Sequence, residues 1–465
     1  MTEISSAERK MLDHGLGEAA IRAFAHARAV HLSGASSLLG ELEIEPATGL
    51  ASSTHLDAPP AGDELIARTV VIKLNGGLGT GMGLEKAKSL LVVKEGHSFL
   101  DLIARQILHQ RATAPSLRFL LMNSFSTSDD TRAALSAHPD LGDPAALEIM
   151  QNRVPKLRAD NGEPVEWPAN PSQEWCPPGH GDIYAALLGS GWLDRLLAEG
   201  VLYAFISNSD NLGATLDANL LGHFAASGAP FLMEVTRRTE ADKKGGHLAV
   251  RKKDGRLVLR ESAQCPKEDE AAFQDIDRHR YFNTNNLWLR LDRLKEALDE
   301  AGGVLPLPVM RNHKTVDPRD PQSPPVVQLE TAMGAAIECY PGADAIEVPR
   351  TRFAPVKTTA DLLVLRSDAC VLTPDWRVEL HPDREGVPPV LDLDPKETKL
   401  VDGLETVFGT GAPSLLACDR LLTRGPMIIP AGAAFAGKVE IHNLSSERIA
   451  IPARLYEDES VPLAP

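Results

Sequence analysis

Apolar and polar positions follow different rhythms along this chain, and the changes of rhythm divide it into three stretches. Over residues 1–60 the spacing of Leu12, Leu16, Ala20, Phe24 and Ala27 predicts helix, with Ser5 and Glu8 placed for a capping box. The patch Ala58-Pro59-Pro60-Ala61-Gly62 marks a boundary. Over residues 61–365 short, mainly apolar runs take over, at 69–72, 117–122, 202–206 and 231–235. They read as buried strands, and helical stretches such as 99–110 and 291–301 separate some of them. That is the pattern of a doubly wound α/β sheet. Over residues 366–465 brief apolar runs recur between Pro, Gly and Asp, as in 425–432 and 437–441, which predicts irregular rungs of a β-solenoid.

Composition narrows the function classes. The 465 residues exceed one ordinary core, so two to three domains are expected. A formal net charge of −16 argues against nucleic acid as partner, because a polyanion would be repelled. A small anionic substrate feels only its pocket and stays allowed. No apolar run approaches the length that spans a bilayer, so no membrane partner is expected. The five cysteines are scattered and never in C-x-x-C spacing, which predicts free thiols rather than zinc ligands or disulfides. With the polar, acidic start Met1-Thr2-Glu3, this reads as a cytoplasmic protein without a signal peptide. The basic clusters at 237–238, 243–244 and 251–253 could supply such a pocket field, but read more simply as solvated charges flanking a hairpin, with Asp254-Gly255 as a type I′ turn.

The stretch 70–83 carries the strongest chemical signal. A β-branched run ends in Asn75-Gly76-Gly77-Leu78-Gly79-Thr80-Gly81-Met82-Gly83, and Lys88 follows shortly after. Glycines let backbone N–H groups approach a phosphate or a base closely. Neither a Walker A loop nor G-x-G-x-x-G fits the spacing, so a third kind of nucleotide loop is left beside a plain glycine-rich turn. Further segments add to it. Ser207-Asn208-Ser209-Asp210-Asn211 follows a strand directly, where open α/β sheets bind ligands. Asp210 there suits a hard divalent cation, though the same residues suit a helix N-cap. His180 sits between Gly179 and Gly181, which denies it packing neighbours and favours a ligand contact over the structural role a lone histidine more often has. Asn283 and Asn285 fall on one face of a strand, as paired donors and acceptors for sugar hydroxyls; an edge strand with a polar face is the plainer alternative. Lys357 follows the stiff Ala354-Pro355 turn and alone signals little.

In this order the segments resemble one family, the eukaryotic-type UTP–glucose-1-phosphate uridylyltransferases (UDP-glucose pyrophosphorylases). The landmarks are Leu74-Asn75-Gly76-Gly77-Leu78-Gly79-Thr80, Pro177 to Asp182, Asn208 to Thr215, Phe282 to Asn286, Gln328 to Ala332 and Pro355 to Thr359. Asn75 resembles the glucose enzymes; N-acetylglucosamine relatives open this loop with Ala-Gly-Gly. One departure is Lys86-Ala87-Lys88, where the family usually has Gly-Pro-Lys, so a different local backbone is expected there. The resemblance implies a Rossmann-like, glycosyltransferase-A type nucleotidyltransferase domain with a C-terminal left-handed parallel β-helix. It implies that Leu74, Asn75, Gly76 and Gly77 line uracil and ribose, with Gln151 and Gly179 on the base. Lys88 would meet the UTP phosphates. His180, Asn208, Ser209, Glu261, Asn283 and Asn285 would contact the sugar phosphate, beside Gly76, Gly77 and Asp210. Asp210 would hold Mg²⁺ at the α-phosphate, and Lys357 would neutralise charge in transfer.

Elementary electrostatics points the same way. A sugar phosphate is already an anionic nucleophile at neutral pH, so no general base is needed. Two unit charges ~4 Å apart at an effective dielectric of ~20 interact by about 4 kcal/mol. The catalyst must therefore supply cations and alignment. The expected reaction is Mg²⁺-dependent transfer of uridylyl from UTP to glucose 1-phosphate, by direct in-line displacement without a covalent intermediate. The alternatives are another sugar 1-phosphate, such as galactose or N-acetylglucosamine, and a non-catalytic nucleotide-sugar binding protein. Whether the chain forms a homo-oligomer is left open.

Overall fold

A computed structural model describes residues 4–34 and 36–463; Met1–Glu3, part of the polar start, lie outside the described residues. At its centre is an 11-stranded sheet. Its main path uses eight strands: β1 (Ala51–Ser52), β2 (Thr69–Asn75), β3 (Arg118–Asn123), β4 (Glu148–Met150), β5 (Tyr203–Asn208), β6 (Phe231–Arg237), β7 (Tyr281–Arg290) and β8 (Asp344–Glu347). They lie in the order β1-β8-β6-β7-β5-β2-β3-β4. Strand β7 alone runs antiparallel to its neighbours on this path. The α/β sheet is therefore mixed rather than all parallel.

The strands are mainly apolar because both faces are covered. All seven residues of β2 are buried. Val71, Phe119 and Phe205 face one way, and Val70, Ile72, Leu120 and Ile206 face the other. The first face shares one continuous core with Leu363, Leu404, Leu421, Val439 and Tyr456 of the C-terminal stretch. There, β9 (Val390–Asp392), β10 (Ser414–Arg424), β11 (Ala434–Asn443), β12 (Leu455–Glu457) and β13 (Ser460–Leu463) pair in parallel. Ala434 lies beside Ser414 and Leu455 beside Ala434, steps of 434 − 414 = 20 and 455 − 434 = 21 residues.

Two expectations about the helical start change in detail. The capping box of Ser5 and Glu8 forms, but Gly15, at φ 72°, ends the first helix, Ser6–Asp13. A second helix, Glu18–Leu32, follows it. Leu12 is exposed as a result, and Ala7, Met11, Ala20 and Phe24 carry the packing against Val154, Trp175 and Leu329.

The hairpin of His247–Arg251 and Arg256–Arg260 forms, but not through a type I′ turn. Arg251 pairs with Arg256, leaving four residues in the loop, and only Gly255 among them takes positive φ, at 69°. Nor are the flanking cations all solvated. Arg238 is buried and donates to the carbonyls of Phe273, His279, Asp242 and Lys243. Among the described residues, no helix is long and apolar enough to cross a membrane.

Candidate active site

Topology gathers the candidate residues at one edge of the sheet. β2, β3, β4 and β5 are mutually parallel, so Asn75, Asn123, Met150 and Asn208 end side by side. The segments that leave them, with Gly76, Ser124, Gln151 and Ser209, therefore converge, as ligand sites of open α/β sheets do. β7 starts where these strands stop, which brings Asn283 and Asn285 to the same edge. The chain after β8 returns there too and delivers Lys357.

Asp210 is the focus. Lys88 Nζ donates to its Oδ2 at 2.7 Å, and Lys357 Nζ donates to the same oxygen at 2.9 Å. Lys88 also donates to the Val356 carbonyl. Burial pushes the Asp210 carboxyl up, but Lys357 and Lys88 more than reverse this and hold it below the usual carboxylate range. Its Oδ1 is buried without a partner. No helix begins at this turn, so the N-cap alternative does not apply; the next helix, Ala218–Ser227, is capped by Asp217.

Local chemistry explains each lysine's position. Gly79 takes φ 70°, and a Cβ there would stand 3.2 Å from the Lys88 side chain, so the loop folds back beneath it. The Lys88 N–H closes onto the Gly77 carbonyl at 3.0 Å. The departure at Lys86-Ala87 leaves the backbone close to the family's expected course: Ala87 has φ −50°, within proline's range. Lys357 precedes Thr358, the N-cap of the helix Thr359–Arg366. Asp361 accepts from the Lys357 N–H, the Thr358 N–H and the Thr358 hydroxyl.

The nucleotide-loop residues sort by what their side chains already hold. Gly76 lies under Gln151: a Cβ would stand 2.5 Å from Gln151 Oε1. Gln151 Nε2 donates to the Gly179 carbonyl at 2.9 Å, so these three meet. Asn75 behaves otherwise. Its amide turns inward to Asn123 Oδ1 and Thr131 Oγ1 at 2.7 and 2.9 Å. Leu74 is in the core beneath. These two offer a ligand their backbone, with the side chains serving the loop.

The glycines around His180 act in the opposite sense to that expected. They admit a close neighbour: a Cβ on Gly179 would stand 2.4 Å from the Thr331 carbonyl, and one on Gly181 would stand 2.4 Å from Thr331 Oγ1. His180 Nδ1 accepts from the Met333 N–H at 3.0 Å, which places the imidazole proton on Nε2. Burial, with Lys357 nearby, pushes its pKa down to about 4. An NMR titration should therefore show this imidazole neutral down to about pH 5. Because the folded pKa lies below the unfolded one, its contribution to stability is complete above pH 6.5 and is lost as pH falls towards 4. At Gly179, φ 82° and ψ 173° compound the contact with Thr331. Gly179→Ala is expected to cost roughly 2–4 kcal/mol and to raise the KM for UTP by about tenfold or more, read by thermal denaturation and initial rates.

The sugar-side residues meet through a bulge. Glu234 pairs with Asn286 and Val235 with Asn283, so Thr284 and Asn285 loop out of register. Asn285 takes φ 57°. The asparagines touch each other, Asn283 Nδ2 donating to Asn285 Oδ1 at 2.8 Å. This replaces the regular alternation expected of the strand. Glu261 joins them through Gly246, where a Cβ would be 2.5 Å from its carboxylate, and the Asn283 N–H donates to the Gly246 carbonyl at 3.4 Å. Burial raises the Glu261 pKa. Asn208 and Ser209 stand between the two groups, at the end of β5, with the Ser209 N–H on the Leu74 carbonyl at 3.0 Å.

This geometry can be set beside known proteins. The family model for UTP--glucose-1-phosphate uridylyltransferase matches residues 33–431. The chain belongs to that family. It is 39% identical over 389 residues to the UTP--glucose-1-phosphate uridylyltransferase of Saccharomyces cerevisiae, covering 83% of this chain and 76% of that one. A structure of a UDP-glucose pyrophosphorylase mutant from Leishmania major in complex with UDP-glucose is 47% identical, covers 100% of both chains and superposes with TM-score 0.94. A structure described as UDP-glucose phosphorylase from Trypanosoma brucei is 49% identical, covers 99% of both chains and superposes with TM-score 0.92. The mixed α/β fold with its large sheet is that of these family structures.

Four residues outside the candidate set lie close to the site. Lys73, Asn211, Glu234 and Arg352 are buried beneath it. Lys73 Nζ donates to Ser207 Oγ at 2.8 Å, and burial, followed by Arg352, pushes its pKa down to about 7. A signal was available for two of them. Lys73 and Glu234 each interrupt an otherwise apolar strand.

Proposed function

We propose that this chain transfers the uridylyl group of UTP to glucose 1-phosphate, forming UDP-glucose and releasing pyrophosphate. The observation that carries the reading is the convergence of two ammonium groups on one buried carboxylate, beside a glycine loop at the carboxyl edge of the sheet. Lys88 and Lys357 would leave Asp210 for the phosphates and neutralise charge as the two anions meet. A sugar-phosphate oxygen bonds to the α-phosphorus while the bond to the pyrophosphate oxygen breaks. The proton count does not change, so no acid or base is required. Gly76, Gly77, Gln151 and Gly179 would frame the uracil, with the Leu74 and Asn75 backbone beside the ribose. His180, kept neutral, would donate from Nε2 to the sugar phosphate, and Asn208, Ser209, Glu261, Asn283 and Asn285 would take the hydroxyls.

Asp210 is the residue that would hold Mg²⁺. Its unpartnered Oδ1 fits that role. No cluster of three or more ligating side chains exists among the described residues. Mg²⁺ suits such a site, since it commonly binds one or two carboxylates together with phosphates and water. When bound, the ion would add positive charge at the α-phosphate. The same reading takes the sheet as a Rossmann-like, glycosyltransferase-A type domain and the parallel stack after residue 366 as a left-handed β-helix. The five free cysteines support a reducing compartment such as the cytoplasm.

The test is pyrophosphate release from UTP with glucose, galactose and N-acetylglucosamine 1-phosphates side by side, with and without Mg²⁺. Release is expected with glucose 1-phosphate and Mg²⁺. No release with any sugar, or a nucleotidyl adduct on the protein from labelled UTP, overturns the reading.

A further inference from the structure

Beneath the lysine pair lies a buried polar network that touches no expected substrate group. At its base is Glu234, with no solvent exposure, in the middle of β6. Arg352 grips its carboxylate in bidentate fashion, Nε to Oε2 at 2.8 Å and an amino group to Oε1 at 2.7 Å. Asn286 Nδ2 and Trp288 Nε1 donate to the same carboxylate at 3.0 and 2.9 Å. Four donors therefore saturate one side chain.

The network has an upper layer. The Arg352 carbonyl accepts from Asn211 Nδ2 at 3.0 Å and from Asn286 Nδ2 at 3.1 Å. Asn211 Oδ1 accepts from the Ala354 N–H at 3.1 Å. Asn211 also forms a β-bridge with Pro355, and the Val356 N–H reaches the Asp210 carbonyl at 3.3 Å. The segment 352–356 is thus stitched along the turn that carries Asp210. Lys357 is the next residue.

Packing alone does not explain a buried ion pair of this kind. Replacing such a pair with well-packed apolar side chains is often neutral or stabilising, whereas a saturated polar network specifies one arrangement. Here the specified object is the height of the 352–357 segment above the 210–211 turn. The Lys357 side chain is more than half exposed and packs against little, so the placement of its ammonium depends on its backbone. A misplacement of ~1 Å in a positioning group can cost ~10²-fold in rate.

We propose that Glu234 is a positioning residue for uridylyl transfer: through Arg352 it fixes residues 352–357 against the Asp210 turn and so sets where the Lys357 ammonium stands. The proposal rests on the function inferred above, in which Lys357 acts on the phosphates.

The test is a double-mutant cycle of Glu234→Gln with Lys357→Ala, reading kcat and KM on protein whose folded fraction has been measured. Glu234→Gln puts an amide donor among four donors while keeping the shape of the side chain. In the wild-type background kcat should fall about 30-fold or more, with the KM for UTP changed less than about threefold. In the Lys357→Ala background the same change should cost less than about threefold, because the group it positions is gone. An equal loss in both backgrounds, or full kcat per folded molecule, overturns the proposal. If Glu234→Gln does not fold, Asn211→Ser enters the same cycle with the same expected and overturning outcomes, since it cuts the upper layer and spares the ion pair. Wild-type protein assayed alongside separates the two claims. An inactive wild type refutes the function itself, whereas an active wild type with additive losses refutes only the role of Glu234.

Discussion

Lys357→Ala is expected to lower turnover by about three orders of magnitude while the dissociation constant for UTP rises less than about tenfold. The asymmetry follows from where positive charge is already available. Lys88 is mostly buried, tied to the Val356 carbonyl and to Asp210, and stays beside the glycine loop when Lys357 is removed. UTP therefore keeps one ammonium and the backbone cradle. Lys357 reaches Asp210 from the opposite segment, with a largely exposed side chain on a backbone held against the Asp210 turn. Losing one preorganised donor to a developing charge typically costs about 10²–10³ in kcat. Steady-state rates and calorimetric UTP binding on the same protein check both halves. A variant that loses binding in proportion to rate would make Lys357 a ground-state contact.

What could be read from the sequence, and what could not, divides by physical cause. The strands beginning at 69 and 203 were legible from the apolar runs 69–72 and 202–206, since a strand covered on both faces is largely apolar. Asp210 was legible because it follows directly on such a strand, where a side chain is free to meet a ligand; Lys357 signals little by itself and stood out only through the family resemblance. The inward turn of Asn75 was not legible. An asparagine beside glycines serves a ligand or a neighbouring strand equally well, and Asn123 and Thr131 lie 48 and 56 residues away. The bulge at Thr284 and Asn285 escaped for a related reason. Alternation in one strand says nothing of the register in its partner, and the left-handed φ of Asn285 is set by pairing with β6. The glycines flanking His180 were noticed, but their partner, Thr331, lies some 150 residues on. Glu234 and Lys73 broke apolar runs visibly; what they bind, Arg352 and Ser207, is a tertiary fact.

Asp210→Asn should separate the two tasks assigned to that carboxylate. Both ammoniums rest on one oxygen, Oδ2, so incoming phosphates compete with Asp210 for them. The asparagine variant removes that competitor. Metal-free UTP is therefore expected to bind as tightly as to the wild type or several-fold more tightly, by titration calorimetry in EDTA. Turnover should move the other way, falling about 10³-fold, and the residual rate should no longer depend on Mg²⁺ concentration, since a neutral amide is a poor ligand for a hard cation. Stability should fall as well. Two lysines left without their carboxylate repel, although the exposure of Lys357 screens its share and confines most of the cost to buried Lys88. The opposite signs for binding and turnover exclude a general loss of structure, which would weaken both. If metal-free UTP instead binds much more weakly to Asp210→Asn, the carboxylate holds the lysines in place rather than competing for them, and their release onto the phosphates is not how the site works.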